Sequence, residues 1–176
     1  GKVPDNFIPA HPIAGAEQSG VEASLYDLFL NRRLIITPLK NTQTNSIRKI
    51  QNFWELCGSV VSMMDVTRHD AVLAATSHLP HILAFALVDM LGHKDEQSEI
   101  FKYAAGGFRD FTRIASSDPA MWRDICLGNR TAILKELDQY LLIVNHLRKL
   151  VAENDGAGIE KLFNKASKAR QDLDAL

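Results

Sequence analysis

Residues 67–91, TRHDAVLAATSHLPHILAFALVDML, decide the fold class of this chain. Wound at 3.6 residues per turn, they place apolar side chains on nearly every face, which predicts a helix covered on all sides. Thr67 with Asp70 three residues later has the form of a capping box. Pro80 lacks a backbone donor and crowds the preceding turn, so it should kink or divide the helix. The run from Ala71 to Leu91 approaches the length of a membrane span. Ser77, His78, Pro80, His81 and Asp89 interrupt it, and a buried core helix is the expectation.

Upstream the periodicity changes. Phe7-Ile8-Pro9-Ala10-His11-Pro12-Ile13 is short, apolar and broken by prolines, the pattern of an edge strand running into a loop. Arg33 to Leu39 is β-branched at its centre and stopped by Pro38, a second strand. Ile47, Ile50, Phe53, Trp54 and Cys57 recur at helical spacing after the cap-like Thr44-Asn45-Ser46, with Gly58 as the stop. Val60, Val61 and Met63 predict one more strand. Residues 1–66 therefore read as the tail of an α/β domain.

Downstream of residue 66 strand signals vanish. Asp118-Pro119 is a cap followed by a first-turn proline. From Asn129, Ile133, Leu134, Leu137, Leu141, Val144, Leu147, Leu150 and Val151 form a stripe at three-and-four spacing that Asp155-Gly156 ends. Ile159, Leu162, Phe163 and Ala166 mark a last helix. The fold class is mainly α: a remnant of an α/β, Rossmann-type domain (1–66) followed by an all-α domain (67–176). Two helices with so much apolar surface exceed what this domain covers alone, which predicts a homodimer with interlocked helices.

Composition agrees with a globular chain. Hydrophobic residues make up 46% and charged residues 23% of 176, and twenty basic against twenty-one acidic side chains leave a net charge of −1. No dense Lys/Arg run exists, so neither nucleic acid nor a membrane is an expected partner. Cys57 and Cys126 form no C-x-x-C pair and read as buried thiols of a cytoplasmic protein. Gly1 stands where an initiator Met would, and a strand-like segment comes almost at once, the look of a boundary inside a longer protein.

Reactive side chains cluster in three places. His11 lies between a strand and Pro12, ahead of Gly15, Glu17, Ser19 and Gly20, where α/β enzymes place reactive groups. His78-Leu79-Pro80-His81 has the spacing of a metal pair, but zinc needs a third ligand. His69 lies nine residues before His78, on the opposite face of a straight helix, so no metal site is expected. Two histidines flanking a proline inside an apolar helix predict a polar pocket at the kink. Gly106-Gly107 reads as a loop. The adjoining Phe108-Arg109-Asp110-Phe111-Thr112-Arg113 suits either a salt-bridged helix start or guanidinium recognition of a planar carboxylate. Trp122 reads as a core anchor first and a pocket wall second.

Five segments occur in order: HPIAG at 11–15, SGVE at 19–22, SHLPH at 77–81, GGFRDFTRIA at 106–115 and DPAMWRD at 118–124. Together they resemble the prephenate dehydrogenase family, which includes the arogenate and cyclohexadienyl dehydrogenases of tyrosine biosynthesis. The resemblance implies NAD(P)-dependent oxidative decarboxylation of prephenate to 4-hydroxyphenylpyruvate by a homodimer, with tyrosine as a possible feedback inhibitor. It implies that His11 is the catalytic base and Arg113 the residue gripping a substrate carboxylate. It further implies that His69 and His81 lie in the substrate pocket, that Glu17 guards its entrance, and that Trp122 and Asp110 line or brace it. The family's glycine-rich turn and its serine before the position of Lys2 are not in these residues. Most of the NAD or NADP site is therefore expected elsewhere, and the fragment alone is expected to be inactive. A non-catalytic dimeric module binding tyrosine or prephenate is the alternative.

Overall fold

The computed structural model describes residues 3–4, 6–15 and 20–174. The chain is mostly helical with one small sheet, an α/β remnant followed by helices, as the hydrophobic patterning predicts. It packs as two compact units, Gly1–Ile133 and Leu134–Leu176.

In the first unit a three-stranded sheet has the order β1 (Ala10–Pro12), β2 (Arg33–Ile36), β3 (Val60–Met63). β1 runs antiparallel to β2 with His11 opposite Ile35, and β3 runs parallel to β2 with Arg33 opposite Val60. Pro12 is tolerated because β1 is an edge strand. Leu34, Ile35 and Ile36 are buried in β2, the centre of the sheet. Helix α1 (Thr44–Leu56) returns the chain from β2 to β3 and packs against β3. Its cap is not the Thr44-Asn45-Ser46 cluster, which forms the first turn; Gln43 is the N-cap and contributes no side-chain bond. Cys57 lies at the outer end of α1 and is exposed, contrary to the expected buried thiol, while Cys126 is partly covered.

Gly58 closes α1 with φ +83°, a conformation that costs little only without a Cβ. Its carbonyl accepts from Asn31 N at 2.8 Å, and an added Cβ would lie 2.6 Å from Leu30 Cδ1 and 3.3 Å from Leu30 Cα. Gly58→Ala should lower stability by about 1–2 kcal/mol through strain and crowding. Chemical denaturation checks this; an unchanged midpoint would contradict it.

The decisive apolar segment is three pieces: α2 (Val66–Leu73), a π-turn (Ala74–His78) and α3 (Leu79–Gly92). Pro80 explains the break. It has no N–H and its ring crowds the carbonyl four residues back, whereas a wider turn accommodates both defects. Leu79 N donates five residues back, to Ala74 O. The cap of α2 is Asp65, whose carboxylate accepts from Arg68 N at 3.0 Å, rather than a Thr67/Asp70 box. Within this chain the segment is not buried on every side: only Leu73, Ala74 and Ala84 are. Val66–Gly92 is long and apolar enough to cross a membrane by length and composition, and 17% of its most apolar window is buried.

Helix α4 (Gln97–Lys102) comes next, then α5 (Gly106–Thr112), a 3-10 turn (Arg113–Ser116) and α6 (Pro119–Gly128). Gly106 and Gly107 are the first turn of α5, not a loop, because Ala105 is extended and begins the helix one residue earlier. α5 and the 3-10 turn pack on α3. Asp118 caps α6 as its sequence predicts, accepting from Ala120 N at 2.7 Å and Met121 N at 2.9 Å.

Helix α7 (Arg130–Ala152) begins in the first unit, where Ile133 is buried. The second unit is the remainder of α7 and α8 (Gly156–Asp174). Asp155 caps α8 by accepting from Gly158 N at 2.9 Å. Leu150 is buried, whereas Leu141, Leu142, Ile143, Val151 and Phe163 stay exposed, so much apolar surface is left uncovered.

Candidate active site

Four histidines, two acceptor or donor side chains and one indole converge in the first unit. His11 comes from edge strand β1, and its Nδ1 lies 2.9 Å from Nε2 of His69 on α2. The two rings are 5.2 Å apart between centroids and tilted by 59°. The Nδ1 of His69 is in turn 2.9 Å from Asp70 Oδ1.

His78 is brought to the same side as His69 by the π-turn. Nine residues of α-helix place two side chains half a turn out of phase. A π-turn holds one extra residue and rotates the downstream side chains by about 100°. The straight-helix expectation therefore fails, and His78 senses His11, Asp70, His69 and His81 electrostatically. Its Nδ1 is 3.2 Å from Asn129 Nδ2, an amide that also donates to Asp70 O at 2.8 Å. Asn129 is the C-cap of α6 and ties that end to α2; an isolated Asn between two helices carries no spacing signal by which to find it.

His81, one residue past Pro80, donates from Nδ1 to Ser77 O at 2.8 Å. Its ring stacks on Trp122 of α6 at 3.8 Å between centroids and 19° between planes, while His78 meets the same indole edge-on at 6.1 Å. Trp122 is 7% exposed, and its Nε1 has no acceptor among the described residues. On another side Trp122 joins Ile82, Phe85, Pro119, Arg123 and Cys126 around an apolar cavity of about 260 Å³.

The electrostatics favour the neutral form of His11 and of His78. His11 is held below the ordinary histidine value, first by burial of part of its ring and then by neighbouring His69. His78 is lowered as well, first by burial and then by His11; Asp70 opposes the shift. A neutral histidine with a shared hydrogen bond on one nitrogen is a candidate proton acceptor on the other. Among the described residues no three His, Cys, Asp or Glu side chains come together as metal ligands.

Other sequence-selected residues lie apart. Arg113 opens the 3-10 turn after α5 and lines a groove of about 370 Å³ with Phe101, Ala104, Phe108, Arg109, Thr112 and Ser116. Arg109 Nε donates to Ala104 O at 3.2 Å. Asp110 is on α5, exposed, and is not part of the groove's lining. Glu17 lies outside the described residues.

Residues 65–165 match the model for the dimerization domain of prephenate dehydrogenase, and residues 2–63 match that for its nucleotide-binding domain. The chain belongs to the prephenate dehydrogenase family. It is 39% identical over 166 residues to the cyclohexadienyl dehydrogenase of Zymomonas mobilis, covering 93% of this chain and 57% of that protein. It is 38% identical over 168 residues to the prephenate dehydrogenase of Bacillus subtilis, covering 95% and 45%. The chain thus spans about half the length of these relatives. The prephenate dehydrogenase of A. aeolicus, solved with hydroxyphenyl propionate and NAD+, superposes with a TM-score of 0.87 at 41% identity, covering 95% of this chain and 59% of that one. The A. aeolicus structure agrees with the helical fold beyond the sheet.

Proposed function

We propose that this chain supplies the proton-accepting histidine and the substrate side of an NAD(P)-dependent dehydrogenase that decarboxylates prephenate or arogenate. The observation that carries the reading is His11 itself. It stands on edge strand β1 with Nδ1 engaged by His69 and its pKa lowered by partial burial and by His69, in a chain of this family. In prephenate the carbon that loses hydride carries a hydroxyl, and His11 accepts the hydroxyl proton as the carbon–oxygen bond gains double-bond character. Loss of the ring carboxylate as carbon dioxide then returns an electron pair to the ring, which becomes aromatic. The phenolic oxygen takes the proton back.

A nicotinamide nucleotide, NAD or NADP, accepts the hydride when bound. Its pyrophosphate requires a glycine-rich turn at a helix N-terminus, and the 176 residues contain no G-x-G-x-x-G, so no residue of this chain is assigned to it. Turnover accordingly belongs to a complete subunit in which such a turn joins this chain, and the chain alone is expected to be inactive. A cytoplasmic, reducing compartment suits its two free cysteines.

The exposed faces of Val66–Gly92 and of α7 call for a covering partner, and a second copy of this chain fits that requirement. In that dimer Arg113 of one copy completes the pocket built on His11 of the other. The groove around Arg113 pairs two guanidiniums with Phe101 and Phe108, a lining suited to an aromatic-sized carboxylate. His81 and Trp122 give the pocket a flat aromatic wall, His69 backs His11, and Asp110 braces the pocket.

Arg113→Ala should raise KM for prephenate about 10–100-fold, the value of a lost charge-assisted hydrogen bond, with a smaller change in kcat. Steady-state kinetics of the complete subunit test this. An unchanged KM would remove Arg113 from the substrate site.

A further inference from the structure

We infer that Asp70 is a positioning residue that acts through His69 to fix the tautomer of His11, leaving His11 Nε2 as the bare, proton-accepting atom. This deepens the reading of His11 as the base and rests on it.

A carboxylate has acceptors only, so the 2.9 Å contact between Asp70 Oδ1 and His69 Nδ1 places a hydrogen on that nitrogen. The relay takes His69 in its singly protonated form, which leaves His69 Nε2 bare. That nitrogen lies 2.9 Å from His11 Nδ1, so the bond between the rings requires the hydrogen on His11 Nδ1. The other nitrogen of His11 is then bare. Two contacts thus determine three choices that an isolated histidine leaves open, and only the carboxylate end has a fixed polarity.

The anchor is held from both sides. The Asp70 side chain reaches His69, and its carbonyl accepts from Asn129 Nδ2 at 2.8 Å, which ties α2 to the end of α6. His69 has a side-chain exposure of 17%, against 44% for Asp70, while the contact between the two rings is itself exposed. When His11 accepts a proton at Nε2, its Nδ1–H becomes a stronger donor to His69, whose polarised ring leans on the Asp70 carboxylate. The relay serves first to orient and then to stabilise charge, without proton transfer to Asp70. A carboxylate that orients an imidazole and stabilises its charged form without taking the proton is a known arrangement.

Nitrogen NMR of 15N-histidine-labelled complete subunit reads the tautomer directly, without depending on any variant's folding. The expected result is a hydrogen on His11 Nδ1 and none on Nε2 near neutral pH. In Asp70→Asn, whose amide offers a donor as readily as an acceptor, His11 should gain the Nε2–H form. Its kcat should fall about 10²-fold or more at nearly constant KM. A wild-type His11 that carries its hydrogen on Nε2 would overturn the relay, as would Asp70→Asn with unchanged tautomer and unchanged kcat. If instead His11→Asn keeps full turnover, it is the base assignment that fails, while the NMR result still reports on Asp70 alone.

Discussion

His11→Asn should lower kcat of the complete subunit by about 10²–10⁴-fold, the usual contribution of a positioned general base, while KM changes little. Asparagine keeps an amide donor near the position of Nδ1, so the bond toward His69 Nε2 can persist and β1 should stay paired with β2. The basic nitrogen is lost. The pH profile supplies an internal check. Because burial and His69 push His11 below 6.5, the wild-type rate should hold as pH falls through 6.5 and drop only at the lowered value, where the base becomes protonated. The residual rate of the variant should lack that acid limb. Full turnover in His11→Asn would mean that the histidine of β1 is not the base.

Trp122→Ala should cost about 3–5 kcal/mol of stability, the range for deleting a large buried aromatic. The indole is 7% exposed, stacks on His81 and meets His78 edge-on, so its removal leaves a void beneath both rings. Its Nε1 makes no hydrogen bond among the described residues, so the loss is one of packing and stacking. Trp122→Phe should recover much of the stability because a ring remains against His81. Thermal unfolding of the two variants checks this. Equal stability of Trp122→Ala and wild type would show that the stack does not hold the histidine face together.

Much of this architecture is legible in the sequence because it is written in local chemistry. Asp118-Pro119 has one favourable conformation and starts α6; the β-branched centre of β2 is buried on both sides; Pro80 cannot continue an α-helix. The features that escape sequence reasoning depend on phase or on distance. Pro80 predicts a break but not its form, and the extra residue of the π-turn is what rotates His78 onto the side of His69. Asp70 has the spacing to Thr67 of half a capping box. Asp65 takes that role, and Asp70 is released to bind His69. Asn129 joins two segments 59 residues apart, and nothing in its neighbours marks it. Gly106-Gly107 opens a helix because Ala105 supplies the extended residue ahead of it, a place that the sequence assigns to the two glycines.

The chain belongs to the prephenate dehydrogenase family, and the chemistry proposed for it centres on the histidine cluster. The side chains proposed for the reaction are imidazole, guanidinium and carboxylate.

The central claim is tested most directly by supplying the complete subunit with prephenate and with arogenate, each with NAD and with NADP, and measuring reduced nucleotide and carbon dioxide together. At least one pairing should yield the two in equal amounts, and His11→Asn should suppress both. A folded, dimeric subunit that forms neither from any of the four pairings, while still binding prephenate or tyrosine, would contradict the account and leave a binding module in its place.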